Sequence, residues 1–354
     1  MTFLVQGQTR EQWTQTWFNK SGSHNSLAGA NKTLRHFDEF INLNYKDKNE
    51  NDILLELKQY QDRPELVMFL NNFIQFLQQK KLGARSIQIY MMFLKSYLRS
   101  QGIRLHNDDL KHSLSYPKVI KERRKPLTRQ VIAVLLEKSS LVYVCLYLTL
   151  GSGGMRLAEA LQLRWVDIDF KSTPTMIRLR AFTTKTREER ITFVSQECTN
   201  KLLELKKKTN PTLDSLVFFK TYNEISTINV ESAFNALRKR CGITERYDNG
   251  FHHVRLHAFR SFFISQCERI NEGLGHALSG HAKYMKEYEQ YTEDELREFY
   301  LKVEPDLTIS NENRLLAVNA KQTEELKSRK ELEDKVKKLE LEMQRMREGK
   351  MIKT

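Results

Sequence analysis

Two scarcities narrow the chemistry of this chain before any motif is considered. Its 354 residues include only four cysteines, Cys145, Cys198, Cys241 and Cys267, and no two of them are closely spaced. That scatter argues against a cysteine zinc site and against a disulfide framework, so reduced core thiols are expected, with no metal and no cofactor. Long hydrophobic runs are also missing. The longest, Leu141 to Leu150, is about half of what a spanning helix needs and reads as a buried core helix. No basic-then-apolar leader opens the sequence, which sets the expectation of a cytoplasmic protein with no membrane partner.

Acidic residues are in deficit too: 44 Asp and Glu stand against 58 Lys and Arg, a formal net charge of +14. A surplus of that size favours a polyanionic partner, nucleic acid or an acidic membrane surface. The plain alternative is a solvated basic surface with no such partner. A hydrophobic content of 40% with 29% charged residues belongs to an ordinary folded protein, and the length suits two domains plus extensions.

Residues 1–25 are polar and weakly patterned, and are expected to be poorly ordered. From 26 to 112 apolar residues recur at helical spacing. Leu34, Phe37, Phe40 and Ile41 form one stripe, and after Pro64 a second runs through Leu66, Phe69, Leu70, Phe73, Phe76 and Leu77. Gly83 interrupts, and Ile87, Tyr90, Met91, Leu94, Tyr97 and Leu98 continue. This is a small all-α domain. Residues 113–127 read as a linker, in which Pro117 and Pro126 bracket Lys118, Lys121, Arg123, Arg124 and Lys125. Its plain reading is a solvated connector; beside a duplex it would be a basic strap across phosphates. Residues 128–309 form a second, mostly helical domain whose clearest strands are Met176–Phe182 and Arg190–Val194. The tail, 310–354, is highly charged. Its Leu332, Val336, Leu339, Met343 and Met346 alternate spacings of four and three, a short heptad seam. That seam is either a coiled coil or one face of a helix packed on its own chain or a partner's.

Three stretches of the second domain carry chemistry. Gly151-Ser-Gly-Gly-Met-Arg156-Leu-Ala-Glu159 is a glycine loop opening into a helix. Arg156 lies at the helix start, where anions are already favoured, and Glu159 lies one turn on. His257-Ala-Phe-Arg260 places a histidine and an arginine on one helix face. Ser279-Gly280-His281 is followed by Tyr284, Tyr288 and Tyr291. Each stretch alone is common, and tyrosines at helical spacing are usually core residues.

Together, in this order, they resemble the tyrosine recombinase, or phage integrase, family, which includes the Xer-type recombinases. The resemblance spans about residues 65 to 308. Lys81-Leu-Gly-Ala-Arg85-Ser-Ile87 is similar to the family's turn between two DNA-clamping helices. Thr184-Lys185-Thr186 and Tyr300–Ile309 are similar to segments of archaeal integrases. The resemblance implies a mainly α fold with a small β-sheet: an all-α core-binding domain, an α+β catalytic domain and a charged C-terminal helix. It implies Arg156 and Arg260 as phosphate clamps, Glu159 as support, Lys185 as the acid for the leaving oxygen, and His257 and His281 as assistants. Lys81, Arg85 and the basic strap would contact DNA. The expected partners are double-stranded DNA and further copies of the chain, dimer to tetramer.

Two departures bear on the site. Gly275-His276 rivals Gly280-His281, but His276 would lie too close to Arg260 for the family's intervening helix. Gln290 occupies the usual position of the nucleophile, and the Gly-His-x-x-Tyr-x-x-x-Tyr pattern of similar archaeal members points instead to Tyr288, with Tyr284 as a packing residue. Tyr291 is the runner-up. The implied activity is metal-free cutting and rejoining of DNA through a covalent 3′-phosphotyrosine. The alternatives are a type IB topoisomerase-like enzyme and a DNA-binding protein that keeps the fold without the activity.

Overall fold

The computed structural model describes residues 7–61, 63–120, 122–184, 187–223, 225–280 and 291–351. The chain divides into two compact units, Met1–Arg123 and Arg124–Thr354.

The first unit is all-α: α1 (Arg10–Ser21), α2 (His24–Asn44), α3 (Glu50–Gln59), α4 (Pro64–Gln79), α5 (Ala84–Ser100) and α6 (Asn107–Ser113). Its core is aromatic. Phe37, Phe40, Phe69, Phe73 and Tyr97 are buried, and their rings meet mostly edge to face. The expectation of a poorly ordered stretch is corrected over residues 7–25, while residues 1–6 lie outside the described residues. Thr9 and Gln12 form a capping box that starts α1, and Gly22, left-handed at φ 60°, ends it. A local apolar stripe is absent from this helix, so its periodicity gave no signal; one residue anchors it instead. Trp13 is 2% exposed, stacks edge-on to Tyr97 at 5.1 Å, and donates to Ser96 Oγ at 3.3 Å. Arg10 adds a polar tether, donating to Asp38 at 2.9 Å and to Glu50 at 3.2 Å, while the Tyr97 hydroxyl donates to Glu50 at 2.6 Å.

The second unit contains α7 (Arg129–Glu137), α8 (Leu141–Gly153), α9 (Leu157–Leu161), β1 (Ile168–Asp169), β2 (Thr175–Leu179), β3 (Arg190–Val194), α10 (Gln196–Thr209), α11 (Ser226–Arg240), α12 (His257–Glu268), α13 (Glu272–Ser279), α14 (Glu293–Leu307) and α15 (Asn311–Met351). The apolar run read as a core helix is α8, buried from Cys145 to Gly153. Helices α10 and α12 and strand β3 pack around it. The sheet is antiparallel in the order β1-β2-β3, with Ile177 opposite both Ile168 and Thr192. Strand β2 stops three residues short of the expected Phe182. Arg180 turns in to Asp167 at 3.1 Å and to the Gln162 carbonyl at 3.1 Å, and Ala181–Thr183 is a short helical turn.

Where α10 begins, two carboxylates make a reciprocal clasp. Glu304 of α14 accepts the Gln196 N–H at 2.7 Å, and Glu197 of α10 accepts the N–H groups of Ile309 and Ser310 at 2.7 and 3.1 Å. The root of α15 is thereby fixed to α10.

Because Trp13 closes the aromatic core of the first unit, Trp13→Ala should destabilise that unit by about 3–5 kcal/mol. Urea unfolding followed by far-UV circular dichroism measures this; an unchanged midpoint would make α1 an ornament on an independent core.

Candidate functional site

The site is built where α8 ends. Its last carbonyls have no partner within the helix, and side chains from two directions supply them. Thr192 of β3 donates to the Gly153 carbonyl at 2.8 Å and Tyr300 of α14 to the Ser152 carbonyl at 2.9 Å. Gly154 ends the helix at φ 63°, a conformation that favours glycine, and a Cβ there would lie 2.1 Å from the Phe263 ring. The chain then turns so that Arg156 stands in extended conformation at the N-cap of α9. Glu159, 1% exposed, accepts the Arg156 backbone N–H at 2.7 Å with one oxygen and its Nη1 at 2.9 Å with the other.

Glu159 holds a second arginine. Arg190, the first residue of β3, reaches its two oxygens at 3.3 and 2.5 Å and donates from Nε to the Leu278 carbonyl at 3.3 Å. Burial alone would raise the Glu159 pKa, but Arg190 and then Arg156 outweigh it and hold the carboxyl below its ordinary value. Arg260, on the first turn of α12 and 3% exposed, donates from Nη1 to the carbonyls of Gly154 at 2.5 Å and Ser279 at 2.6 Å. Its buried Nη2 has no partner among the described residues. Arg156 completes the set by donating from Nη2 to the Gly280 carbonyl at 3.3 Å. Gly280 is left-handed at φ 64°, and a Cβ on it would press on the Arg190 guanidinium at 2.9 Å.

Two guanidiniums thus bond one carboxylate, and the third, Arg260, feels its charge without bonding to it. The Arg260 pKa falls to about 10, mainly through burial and then through repulsion from Arg156. His257, one turn before Arg260, is lowered as well, by loss of solvent and then by the positive charge of Arg260 and Arg124. Both effects favour the neutral ring.

These residues open onto a cleft of about 650 Å³. Arg124, Lys125, Arg129, Arg156, Arg255, Arg260 and Arg269 line it, with His253 and His257, and among the described residues no carboxylate does. One end of the basic segment is tied down beside it. The Lys125 N–H donates to the Tyr247 hydroxyl at 2.7 Å, and its ammonium faces Glu245 at 3.4 Å. Phe251, 59% exposed, stands beside the Arg255 guanidinium at 5.4 Å.

Of the residues singled out in the sequence, the fold brings together Arg156, Glu159, His257, Arg260, Arg124 and Lys125. Lys118 and Arg123 are exposed in the first unit, as are Lys81 and Arg85 at the turn between α4 and α5, where Lys81 is left-handed at φ 56°. Lys121, Lys185, His281, Tyr284 and Tyr288 lie outside the described residues. Their flanks are inside them. Thr184 is buried, and its hydroxyl accepts from the Glu188 N–H at 3.1 Å, so the residues on either side of 185–186 are joined. Gly280, which precedes His281, is the glycine whose carbonyl holds Arg156. Tyr291 packs against the hydrophobic core. The rival His276 sits on α13 with its Nε2 3.4 Å from Glu272, and does not line the cleft. The sequence reading missed Arg190, Arg129, Arg255 and Arg269. For Arg190 the only signal was its place two residues before Thr192, on the same strand face.

Residues 127–292 match the phage integrase family. No curated protein is a significant match to the sequence. Among solved structures, the fold is similar to the Tn1549 transposon integrase in complex with transposon right end DNA, with a TM-score of 0.56 at 16% identity over 82% of this chain and 98% of that one. It is similar to the XerH site-specific recombinase bound to palindromic difH substrate, with a TM-score of 0.53 at 15% identity over 82% and 83%. A lambda integrase dimer bound to a COC′ core site gives 0.52 at 15% over 80% and 97%. At these identities the likeness is one of fold.

Glu159→Gln should destabilise the second unit by about 3 kcal/mol at neutral pH, since it leaves buried guanidiniums without their counter-charge. The folded carboxyl titrates below its unfolded value, so its contribution is complete above the unfolded pKa, about 4.3, and fades as pH falls through the folded one. Urea titrations at pH 7 and pH 3 should show the gap between wild type and variant closing in acid. A gap independent of pH would mean that the carboxylate charge is not what holds the arginines.

Proposed function

We propose that this chain is a site-specific DNA recombinase of the phage integrase family, cutting and rejoining duplex DNA through a covalent bond between a tyrosine and a 3′ phosphate. The observation that carries the reading is the cationic cleft, where Arg156 and Arg260 converge from separate helices around one buried carboxylate and one Arg260 nitrogen has no partner among the described residues. A phosphodiester supplies the missing anion. Planar guanidiniums match its two non-bridging oxygens and stabilise the charge that grows on them as phosphorus becomes five-coordinate.

In the forward step the Tyr288 oxygen attacks phosphorus, the new O–P bond forms, and the P–O5′ bond breaks. The tyrosine proton passes to a base, a role that neutral His257 can fill, and the departing 5′ oxygen takes a proton from Lys185. Attack by a 5′ hydroxyl of another strand reverses these transfers and rejoins the DNA. His281 serves as a further donor to the phosphate, and Tyr291 is the alternative nucleophile. Arg124, Lys125, Lys118, Lys121 and Arg123 supply sequence-independent phosphate contacts, as do Lys81 and Arg85 from the first unit. The Thr184-Lys185-Thr186 triplet and the segment 300–309 favour an Xer-like archaeal integrase of a mobile element. It would work on DNA in the cytoplasm as a dimer or tetramer of copies.

A nicked suicide substrate carrying the attachment site should trap a covalent protein–DNA complex. Tyr288→Phe should abolish it with DNA binding nearly intact, and Tyr291→Phe should preserve it; the opposite pattern moves the nucleophile to Tyr291. Arg156→Ala and Arg260→Ala should each slow cleavage by about a hundredfold or more, with poor rescue by lysine. EDTA should leave all rates unchanged. Lys185→Ala should recover in part when sulfur replaces the leaving 5′ oxygen, because a thiolate departs without a proton. Equal defects on both substrates would remove Lys185 from the acid role.

A further inference from the structure

Helix α15 runs 41 residues from Asn311 to Met351. Its apolar residues Leu332, Val336, Leu339 and Met343 are 65%, 47%, 59% and 52% exposed, so this stripe covers nothing among the described residues of its own chain. They follow one another at spacings of four, three and four, the d-a-d-a order of a heptad seam. We infer that this seam pairs with the same seam of a second copy of the chain, as a parallel, in-register two-stranded coil that forms without nucleic acid.

Charge selects that occupant and that direction. With Val336 and Met343 at a, and Leu332 and Leu339 at d, Lys335 falls at g and both Glu333 and Glu340 at e. In a parallel pair each g residue faces the e residue five positions later on the partner helix. Lys335 then meets Glu340 twice by symmetry. In the sequence the next such pair, Glu342 with Arg347, is also of opposite sign. An antiparallel pair would set e against e on one flank and g against g on the other, so that Glu333 meets Glu340 with like charge while only Lys335 and Glu342 attract. An unrelated apolar partner would gain nothing from this arrangement of signs.

The same frame says where pairing stops. Continued toward the N-terminus it puts Arg329 and Gln322 at a and Glu325 at d. Arg329 is already engaged within its own helix, donating to Glu333 at 3.2 Å. A charged a position repels its symmetry mate, so the two helices part there. From Asn311 to Leu332 the helix rises about 32 Å. That unpaired stretch is a stem, and its root is fixed to α10 by Glu197. The pairing is weak, because the seam is short.

The full chain, free of DNA, tests this by sedimentation velocity over a range of concentrations. Wild type should shift from monomer toward dimer, and the double variant Val336→Asp, Leu339→Asp should stay monomeric with an unchanged thermal transition of the second unit. Lys335→Glu alone should weaken association roughly tenfold, two attractive pairs becoming repulsive, and adding Glu340→Lys should restore it. For direction, Leu339→Cys places one thiol at a d position, which a parallel pair sets face to face. Mild oxidation should give a disulfide-linked dimer that wild type, with its own four cysteines, does not form. Equal sedimentation of wild type and the Asp variant, or failure of both the charge swap and the cross-link, overturns the parallel pair.

Discussion

Everything in the second unit is arranged around a buried surplus of positive charge. Arg156 and Arg190 bond a single carboxylate, Glu159, Arg260 lies within its field, and two positive charges are left over. Like charges this close, withdrawn from water, oppose folding, and the lowered pKa of Arg260 registers that opposition. The fold offsets it with backbone oxygen. The carbonyls of Gly154, Ser279, Leu278 and Gly280 each take a guanidinium N–H, and two of these residues reach their positions only in the left-handed conformation. The end of α8, the strand bearing Arg190 and the turn after α13 are therefore fixed relative to one another by the needs of three cations. What remains uncompensated faces the cleft, whose described lining is cationic.

The limits of sequence reasoning follow from the kind of signal each feature carries. Helices α2, α4, α5 and α8 bury continuous stripes or runs, and apolar periodicity reports such faces directly. Helix α1 buries one large side chain, Trp13, on a polar background, and a single anchor has no period. Arg156, Glu159, His257 and Arg260 were visible because two short motifs keep each pair one helical turn apart. Arg190 was not, since its partner is 31 positions away. A strand-terminal arginine reads as solvent-facing until tertiary structure supplies a buried carboxylate. Arg129, Arg255 and Arg269 escaped notice for the same reason: membership of a cleft is a property of three dimensions, and each looks like ordinary surface charge in one.

The two halves of the site also differ in how they are held. Arg156, Arg260 and Arg190 rest on helix ends and a strand with every turn closed by a hydrogen bond. The acid and the nucleophile assigned from the sequence, Lys185 and Tyr288, lie in connecting segments whose flanks are anchored: Thr184 is joined to Glu188 across one, and Gly280 and Tyr291 border the other. The electrostatic half is a rigid receptor. The segments proposed to carry the acid and the nucleophile are continuous in sequence with that receptor: the Gly280 carbonyl that steadies Arg156 belongs to the residue before His281.

The reciprocal clasp at the start of α10 has a mechanical meaning. Glu197 holds the peptides of Ile309 and Ser310, Glu304 holds that of Gln196, and α10 packs on α8, whose last turn carries the arginine receptor. A free joint at residue 309 would let α15 swivel and dissipate any tug as thermal motion. With the clasp in place, the root of the tail is tied to α10, and α10 packs on α8, so a pull on α15 would be carried to α8 through hydrogen bonds and packing rather than through a single backbone hinge.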